Sequence, residues 1–300
     1  MKNINNSLLF IFGLMVLIVA CSKKEIITPV SKEIIHFDEY HGQKVSDPYR
    51  WLENFTDDEV KEWVGLQNNY SQQFLKNRFQ KSIKQDLELI WTSEYLSTPF
   101  KVGEKIFYYF NTGKLEQNRL MIRDCESCPE RILIDPNDFS NDGTVSLASV
   151  SVSPNAEWVA FAKSDGGSDW RTWKIMKISS GEILDDEIEW SKFSGAEWSP
   201  DSSGFFNRKY LKPDGEDLLD LNSSPKLMFH VINTDQKNDQ IVIWDKNDPL
   251  LSSSIAVSDD GQYKVLYTEK GTDERNLISV SRYEDKGFIS VIDEFVASYT

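Results

Sequence analysis

The chain reads as a mainly β protein built from a repeated unit, and three copies of one pattern carry that reading. In each copy an apolar pair (Val150/Val152, Ala196/Trp198, Ile255/Val257) leads into a polar turn, and the turn into an alternating strand. The turns are Ser153-Pro154-Asn155, Ser199-Pro200-Asp201 and Ser258-Asp259-Asp260-Gly261. The strands after them begin Trp158-Val159-Ala160-Phe161, Gly204-Phe205-Phe206-Asn207 and Tyr263-Lys264-Val265-Leu266. Turn residues between alternating runs are the hairpin signal. The copies start 46 and then 59 residues apart, at positions 153, 199 and 258, near the ~40–50-residue period of propeller blades once loop insertions are allowed. Three unrelated hairpins of a β-sandwich are the competing reading; repeated blades fit the recurrence better.

Composition allows a large core: 40% of the 300 residues are apolar, with 9 Trp and 17 Phe. The formal charge of −15 repels nucleic acid and anionic lipid headgroups alike, so no nucleic-acid partner is expected. The first 21 residues differ from the rest. Lys2 gives a short positive start, residues 8–20 are almost unbroken apolar sequence, and Ile18-Val19-Ala20-Cys21 closes the run. That run is short for a membrane span and suits a signal-peptide core. Its end resembles the bacterial lipobox, which implies cleavage before Cys21 and lipidation of Cys21. The other reading is an ordinary secretory signal with an incidental Cys. Residues 22–33 then form a tether, and a lipid-anchored place in the bacterial cell envelope is expected, on the periplasmic side or the outer surface.

Residues 34–97 are expected to be mainly helical. Asp47-Pro48 imposes an extended or turn conformation before Tyr49 and Trp51. A helix follows, with Thr56 and Glu59 spaced as a capping box and Val60, Trp63, Val64, Tyr70, Phe74 and Leu75 near one face. A second helix is expected over 82–95, with Ile83, Leu87, Ile90 and Trp91 as its stripe. From Pro99 the period becomes two. Residues 105–110, 119–123 and 131–134 read as strands. Further strands are expected over 205–210, 226–233, 240–244, 263–268 and 277–283. Residues 288–299 look like the start of another unit, so residues 98–300 make about four blades, the last incomplete. Cys125 and Cys128 sit in a hairpin; a lone C-x-x-C is half a zinc site, so no metal is expected, and a small disulfide and two free thiols both remain open.

Several of these segments carry a resemblance. His41-Gly42 with Asp47-Pro48-Tyr49-Arg50-Trp51-Leu52-Glu53 resembles the N-terminal signature of the prolyl oligopeptidase family of serine peptidases. Phe107–Gly113 in the run Phe107-Tyr108-Tyr109-Phe110-Asn111-Thr112-Gly113, then Asp135-Pro136-Asn137, Asp142-Gly143-Thr144-Val145 and Gly167-Ser168-Asp169-Trp170 are similar to it in the same order, as are Lys192-Phe193-Ser194 with Trp198 and Ser258-Asp259-Asp260-Gly261. The resemblance covers residues 34–300. It implies a seven-bladed propeller capping an α/β-hydrolase domain, with the N-terminal segment packed on the hydrolase side, and cleavage of short proline-containing peptides after proline. The hydrolase domain, the family's C-terminal part and the expected partner of this region, is absent from these residues.

The residues agree with that division. Serine acyl transfer needs a strained strand–turn–helix elbow, usually G-x-S-x-G, and none occurs here. His36, His41 and His230 have no credible nucleophile beside them and read as structural or surface groups. No catalytic residue, no phosphate loop and no cofactor is expected. The resemblance does imply two substrate-side residues. Phe193 matches an aromatic that lines the pocket facing the hydrolase, against the plainer reading of inter-blade packing. Asp169 matches an acidic position near the interdomain face, against the plainer reading of an Asx turn cap. Two functions follow as expectations: the propeller-bearing part of a lipid-anchored prolyl oligopeptidase-like endopeptidase, in which the propeller excludes folded substrates, or a non-catalytic envelope lipoprotein that binds peptides or proteins.

Overall fold

The computed structural model describes residues 28–76, 78–213 and 223–300. The signal segment 1–21, Cys21, most of the tether and the middle of the 213–225 insertion lie outside the described residues. The chain divides into two compact units between Trp91 and Thr92, somewhat before the break expected at 97.

In the first unit, β1 (Phe37–Tyr40) and β2 (Gln43–Ser46) form a hairpin whose two turn residues, His41 and Gly42, both have positive φ (52° and 77°). Two consecutive left-handed residues are what a tight hairpin turn demands, and Gly42 supplies one at no steric cost. The Asp47–Glu53 motif then wraps back on this hairpin. Arg50 gathers three carboxylates: Asp38, Asp47 at 3.1 Å and Glu53 at 2.6 Å. Tyr49 Oη donates to Glu33 (2.9 Å), and Trp51 Nε1 donates to the Lys32 carbonyl (2.9 Å). The motif therefore ties its own unit together.

Helix α1 (Asp58–Leu75) starts one residue later than the capping-box spacing suggests. Asp57 is the cap, its carboxylate accepting from the Glu59 N–H at 2.8 Å, while Thr56 spends its own N–H and hydroxyl on Asn54. Helix α2 (Arg78–Trp91) is shifted toward the N-terminus of the expected 82–95 span. The reason lies in the next sheet, where Tyr95 and Leu96 pair with Asn111 and Phe110 as a strand; sheet pairing outweighs helical periodicity there. Ile83, Leu87, Ile90 and Trp91 do share a stripe, and all four are exposed. Among the described residues no helix is long and apolar enough to cross a membrane.

The second unit is four antiparallel sheets. The first runs from β3 (Tyr95–Leu96) and β4 (Phe100–Val102), both on β5 (Lys105–Asn111), to β6 (Arg119–Arg123) and β7 (Glu130–Ile134). The second contains β8 (Ser146–Val152), β9 (Trp158–Ser164), β10 (Arg171–Lys177) and β11 (Ile188–Ser191). The third contains β12 (Glu197–Trp198), β13 (Gly204–Lys209), β14 (Lys226–Val231) and β15 (Gln240–Ile243). A single pairing, Ser191 with Lys209, joins the second and third. The fourth contains β16 (Leu251–Val257), β17 (Tyr263–Lys270), β18 (Asn276–Arg282) and β19 (Ile289–Ile292). Residues 289–292, expected to open a further unit, pair with β18 and complete the fourth sheet.

Alternation along the strands decides how the sheets stack. On β9, Val159 and Phe161 join Phe107, Leu120 and Ile122 in a core between sheets one and two, whereas Ala160 and Ala162 join Trp173, Trp198 and Phe205 between sheets two and three. On β13, Phe205 serves that second core and Phe206 joins Leu227, Ile255 and Leu266 between sheets three and four. Period-two side chains on a sheet buried on both faces give this serial, face-to-face packing, the arrangement of propeller blades. Each fully buried large side chain contributes about 1.5–3 kcal/mol.

The repeated turns are one structure made three times. In each, the serine hydroxyl accepts the N–H of the residue five positions on (Trp158 at 2.9 Å, Gly204 at 3.2 Å, Tyr263 at 3.0 Å). It donates to the side-chain oxygen two positions on (Asn155 at 2.7 Å, Asp201 at 2.6 Å, Asp260 at 2.7 Å). The residue three positions on has positive φ each time: Ala156 54°, Ser202 60°, Gly261 69°. The turns also touch one another. The Asn155 N–H donates to Ser202 Oγ (3.2 Å), and Pro200 lies so close to Gly261 that a Cβ there would meet it at 2.9 Å. Across the β6–β7 hairpin, Cys125 and Cys128 form a disulfide with Cα atoms 5.0 Å apart, the first of the two alternatives left open by the sequence.

Candidate functional site

Antiparallel strands send alternate connections to opposite ends of a sheet. The repeated serine turns occupy one end of the second, third and fourth sheets. At the other end lie the connections after β9, β11 and β13, joined there by the loops after β5 and β7, and these carry most of the segments singled out in the sequence. Hydrogen bonds, most of them between side chain and backbone, knit them into a continuous rim. Asn111 Nδ2 donates to the Leu115 carbonyl (3.0 Å), and its Oδ1 accepts from the Gly113 N–H (2.8 Å). Gln117 Nε2 donates to the Val145 carbonyl (2.7 Å), and Asn137 Nδ2 to the Gln117 carbonyl (3.1 Å). The Gly166 N–H donates to the Thr144 carbonyl (3.2 Å). Burial alone would raise the Asp135 carboxyl, but hydrogen bonds from Asn137 and Arg119 hold it below the usual carboxylate range; Arg119 Nε stands 2.6 Å away. The Asp142 carboxyl is likewise lowered, chiefly by the Thr144 hydroxyl.

Gly113 shows how tightly the rim is built. It has φ 81°, and a Cβ there would lie 2.1 Å from the Thr92 carbonyl oxygen. Only glycine fits that approach.

The rim continues through an aromatic cluster between the second and third sheets. Trp170 meets Trp190 edge-on at 5.4 Å and Tyr210 at 6.2 Å. Lys192 is buried, with its ammonium 3.8 Å from the Trp170 ring centroid, a distance at which a cation over an indole face is attracted. Arg171 Nη1 donates to the Ser194 carbonyl (2.7 Å), and Trp173 Nε1 to Ser191 Oγ (3.2 Å), anchoring both ends of the 191–194 loop. Within this frame Trp190 and Phe193 both take left-handed φ (62° and 47°), a conformation that costs a bulky residue energy and persists only when its surroundings enforce it.

Phe193 is 50% exposed and belongs to none of the three inter-sheet cores. Asp169 is exposed, and its side chain makes no hydrogen bond within the described residues; the turn is capped instead by Ser168, whose hydroxyl accepts the Trp170 N–H (3.1 Å). The Trp170–Lys192 contact brings the two positions to one place, since Asp169 precedes one partner and Phe193 follows the other. Cys21 lies outside the described residues.

Sequence reasoning passed over Trp190, Tyr210 and Arg171, which complete this cluster. Trp190 alternates with Ile188 in a short strand that carries the only local signal. No acyl-transfer constellation forms among the described residues. His36 and His41 are exposed on the first unit, and His230 is fully buried between two aspartates. The rim can present an aromatic face and a carboxylate to a ligand or a neighbouring domain.

Comparison with known proteins agrees with this architecture. Residues 29–300 match the prolyl oligopeptidase N-terminal beta-propeller domain. A prolyl endopeptidase of Elizabethkingia miricola is 35% identical over 269 residues, covering 89% of this chain and 38% of that protein. A dual-function macrocyclase-peptidase of Galerina marginata is 27% identical over 304 residues, covering 90% of this chain and 42% of its own length. Among solved structures, one from a study of two prolyl endopeptidases superposes with a TM-score of 0.81 at 29% identity, covering 90% of this chain and 40% of that one. The substrate-bound prolyl oligopeptidase B of Galerina marginata gives 0.78 at 26% identity, covering 91% and 42%. The chain thus spans about two fifths of the length of these relatives.

Proposed function

The chain belongs to the prolyl oligopeptidase family through its N-terminal β-propeller, and on that premise we propose that it serves as the substrate-side half of a serine endopeptidase cleaving short peptides after proline. The observation that carries this reading is the rim. The segments similar to the family's collect largely at one end of the sheets, where exposed Phe193 and Asp169 flank a buried Lys192–Trp170 contact. An exposed aromatic held in an enforced left-handed conformation is preorganised to receive a ligand group. Asp169, lacking a partner of its own in the described residues, is suited to a cation of an opposing hydrolase domain.

In the proposed enzyme that domain supplies the serine, its histidine base and the aspartate that orients it. The propeller supplies the pocket wall and the size filter that keeps folded proteins out. Cys21 supplies a lipid anchor in the envelope. A serine-reactive fluorophosphonate probe, applied to the protein isolated from its native envelope, tests the catalytic part: labelling supports the peptidase, and peptide binding without labelling replaces it with a capture lipoprotein. Metabolic labelling with a fatty-acid analogue, lost in Cys21→Ser, tests the anchor.

A further inference from the structure

At the end of the sheets opposite the rim, His230 on β14 is fully buried between two carboxylates. Its Nδ1 lies 2.7 Å from Asp239 Oδ1 and its Nε2 lies 3.1 Å from Asp186 Oδ2. Asp239 follows the short 3-10 turn Gln236–Asn238 of the third sheet. Asp186 belongs to the connection between β10 and β11, in the second sheet, and also accepts the Asn233 N–H at 2.7 Å. Both carboxylates are almost wholly shielded from solvent, with side-chain exposures of 4% and 1%. Among the described residues the other elements packed around the ring add no cation: β13 turns the Phe205 ring toward it at 5.6 Å, while Arg208 of that strand points to the fourth sheet and donates to the Ser253 carbonyl. Glu182, Asp185, Glu187 and Asp235 border the cleft of about 500 Å³ that Asp186 also lines, and the nearby Lys237 is engaged with Asp235.

Ionised carboxylates only accept hydrogen bonds, and a neutral imidazole has a single N–H to give. Two acceptors facing the two ring nitrogens are both satisfied only when the ring carries both protons. We propose that His230 is held as an imidazolium and acts as a pH-sensitive latch across the seam between the second and third sheets, closed when protonated and released under alkaline conditions. Once the proton leaves, one buried carboxylate loses its donor and the seam carries an unpaired charge. Electrostatics agree with the geometry. Burial, the largest influence, disfavours the charged ring, but the hydrogen bonds and charges of Asp239 and Asp186 together raise it above the ordinary histidine value of 6.5. A raised folded-state value means that the stabilisation is complete below the unfolded value and is lost as pH rises through the folded one.

The chain has three histidines, so isotope-labelled imidazoles of the full chain are readily resolved. His230 is expected to retain both ring protons as pH rises past the ordinary histidine value of 6.5. Asp239→Asn is expected to move its titration down by about one pH unit or more. Exchange of the Asn233 amide, corrected for its intrinsic pH dependence, is expected to speed up roughly tenfold across the His230 titration as the seam opens. A His230 ring that gives up its second proton at or below 6.5, or a neutral ring beside a protonated aspartate, overturns the proposal. An Asn233 amide indifferent to the titration overturns the latch even if the ring is charged. Should Asp239→Asn fail to fold, the wild-type titration and exchange decide alone.

Discussion

Ser199→Ala isolates what the repeated turn contributes. The hydroxyl is buried, with Ser199 only 1% exposed, and it is the partner of the Gly204 N–H and of the Asp201 carboxylate. Removing it leaves a buried N–H without an acceptor, at a cost of about 1–3 kcal/mol. Ser258→Ala deletes the two corresponding bonds in a turn that water reaches, since both Ser258 bonds are exposed; water then replaces the lost partner, and the cost falls to about 0.5 kcal/mol. With a guanidinium slope of roughly 3 kcal/mol/M, Ser199→Ala shifts the unfolding midpoint by about 0.3–1 M and Ser258→Ala by about 0.2 M. Tryptophan fluorescence reads both transitions, because the 9 Trp residues include Trp173 and Trp198 in the adjoining core. Equal shifts for the two variants would refute the reasoning, since the buried Ser199 hydroxyl, which also reaches the Gly204 carbonyl and Ser203 Oγ, has more to lose.

Other expectations are more local. Phe193→Ala leaves the unfolding midpoint unchanged, because the ring is half exposed, yet in the proposed peptidase it is expected to raise KM for proline-containing peptides about tenfold, the equivalent of roughly 1.4 kcal/mol of lost binding. Reducing the Cys125–Cys128 disulfide, which closes a very short loop, costs at most about 2 kcal/mol by loop entropy, measurable as a small drop in the thermal midpoint with dithiothreitol. Asp135 has a carboxyl held below its ordinary 3.8, so its contribution is present above that value and lost as pH falls through the folded one. Asp135→Asn therefore flattens the acid limb of a stability–pH curve, and an unchanged limb would show that Arg119 contributes nothing there.

The sequence speaks most clearly where structure depends on near neighbours. The three serine turns could be read because serine, an Asx residue and a left-handed position recur at fixed offsets. The strands at 105–111, 119–123 and 130–134 could be read because period-two alternation is local too. Helix α2 ends before the span its spacing predicts because Tyr95 and Leu96 answer to β5, a partner that helical spacing does not reveal. Asp57 displaced Thr56 as a cap because Asn54 competes for the Thr56 hydroxyl. The candidate site divides the same way. Phe193 and Asp169 came from resemblance, whereas Trp190, Tyr210 and Arg171 are joined to them only by the pairing of distant loops. His230 looked like any histidine in a strand; its two aspartates lie 44 positions before it and 9 after.

The side-by-side service of neighbouring residues to different cores constrains how such a chain can evolve. Deleting one residue from β9 would exchange Phe161 with an alanine and upset two interfaces at once, so strand lengths are effectively frozen. Change in length must collect in the connections. The unequal spacing of the repeats fits this: the β13–β14 connection, residues 210–225, lies inside the longer interval, while its counterpart between β9 and β10 is confined to residues 165–170. Lineages of this fold should therefore differ from one another by loop grafts at the strand ends, while the ladders between them accept only substitutions that keep both faces filled.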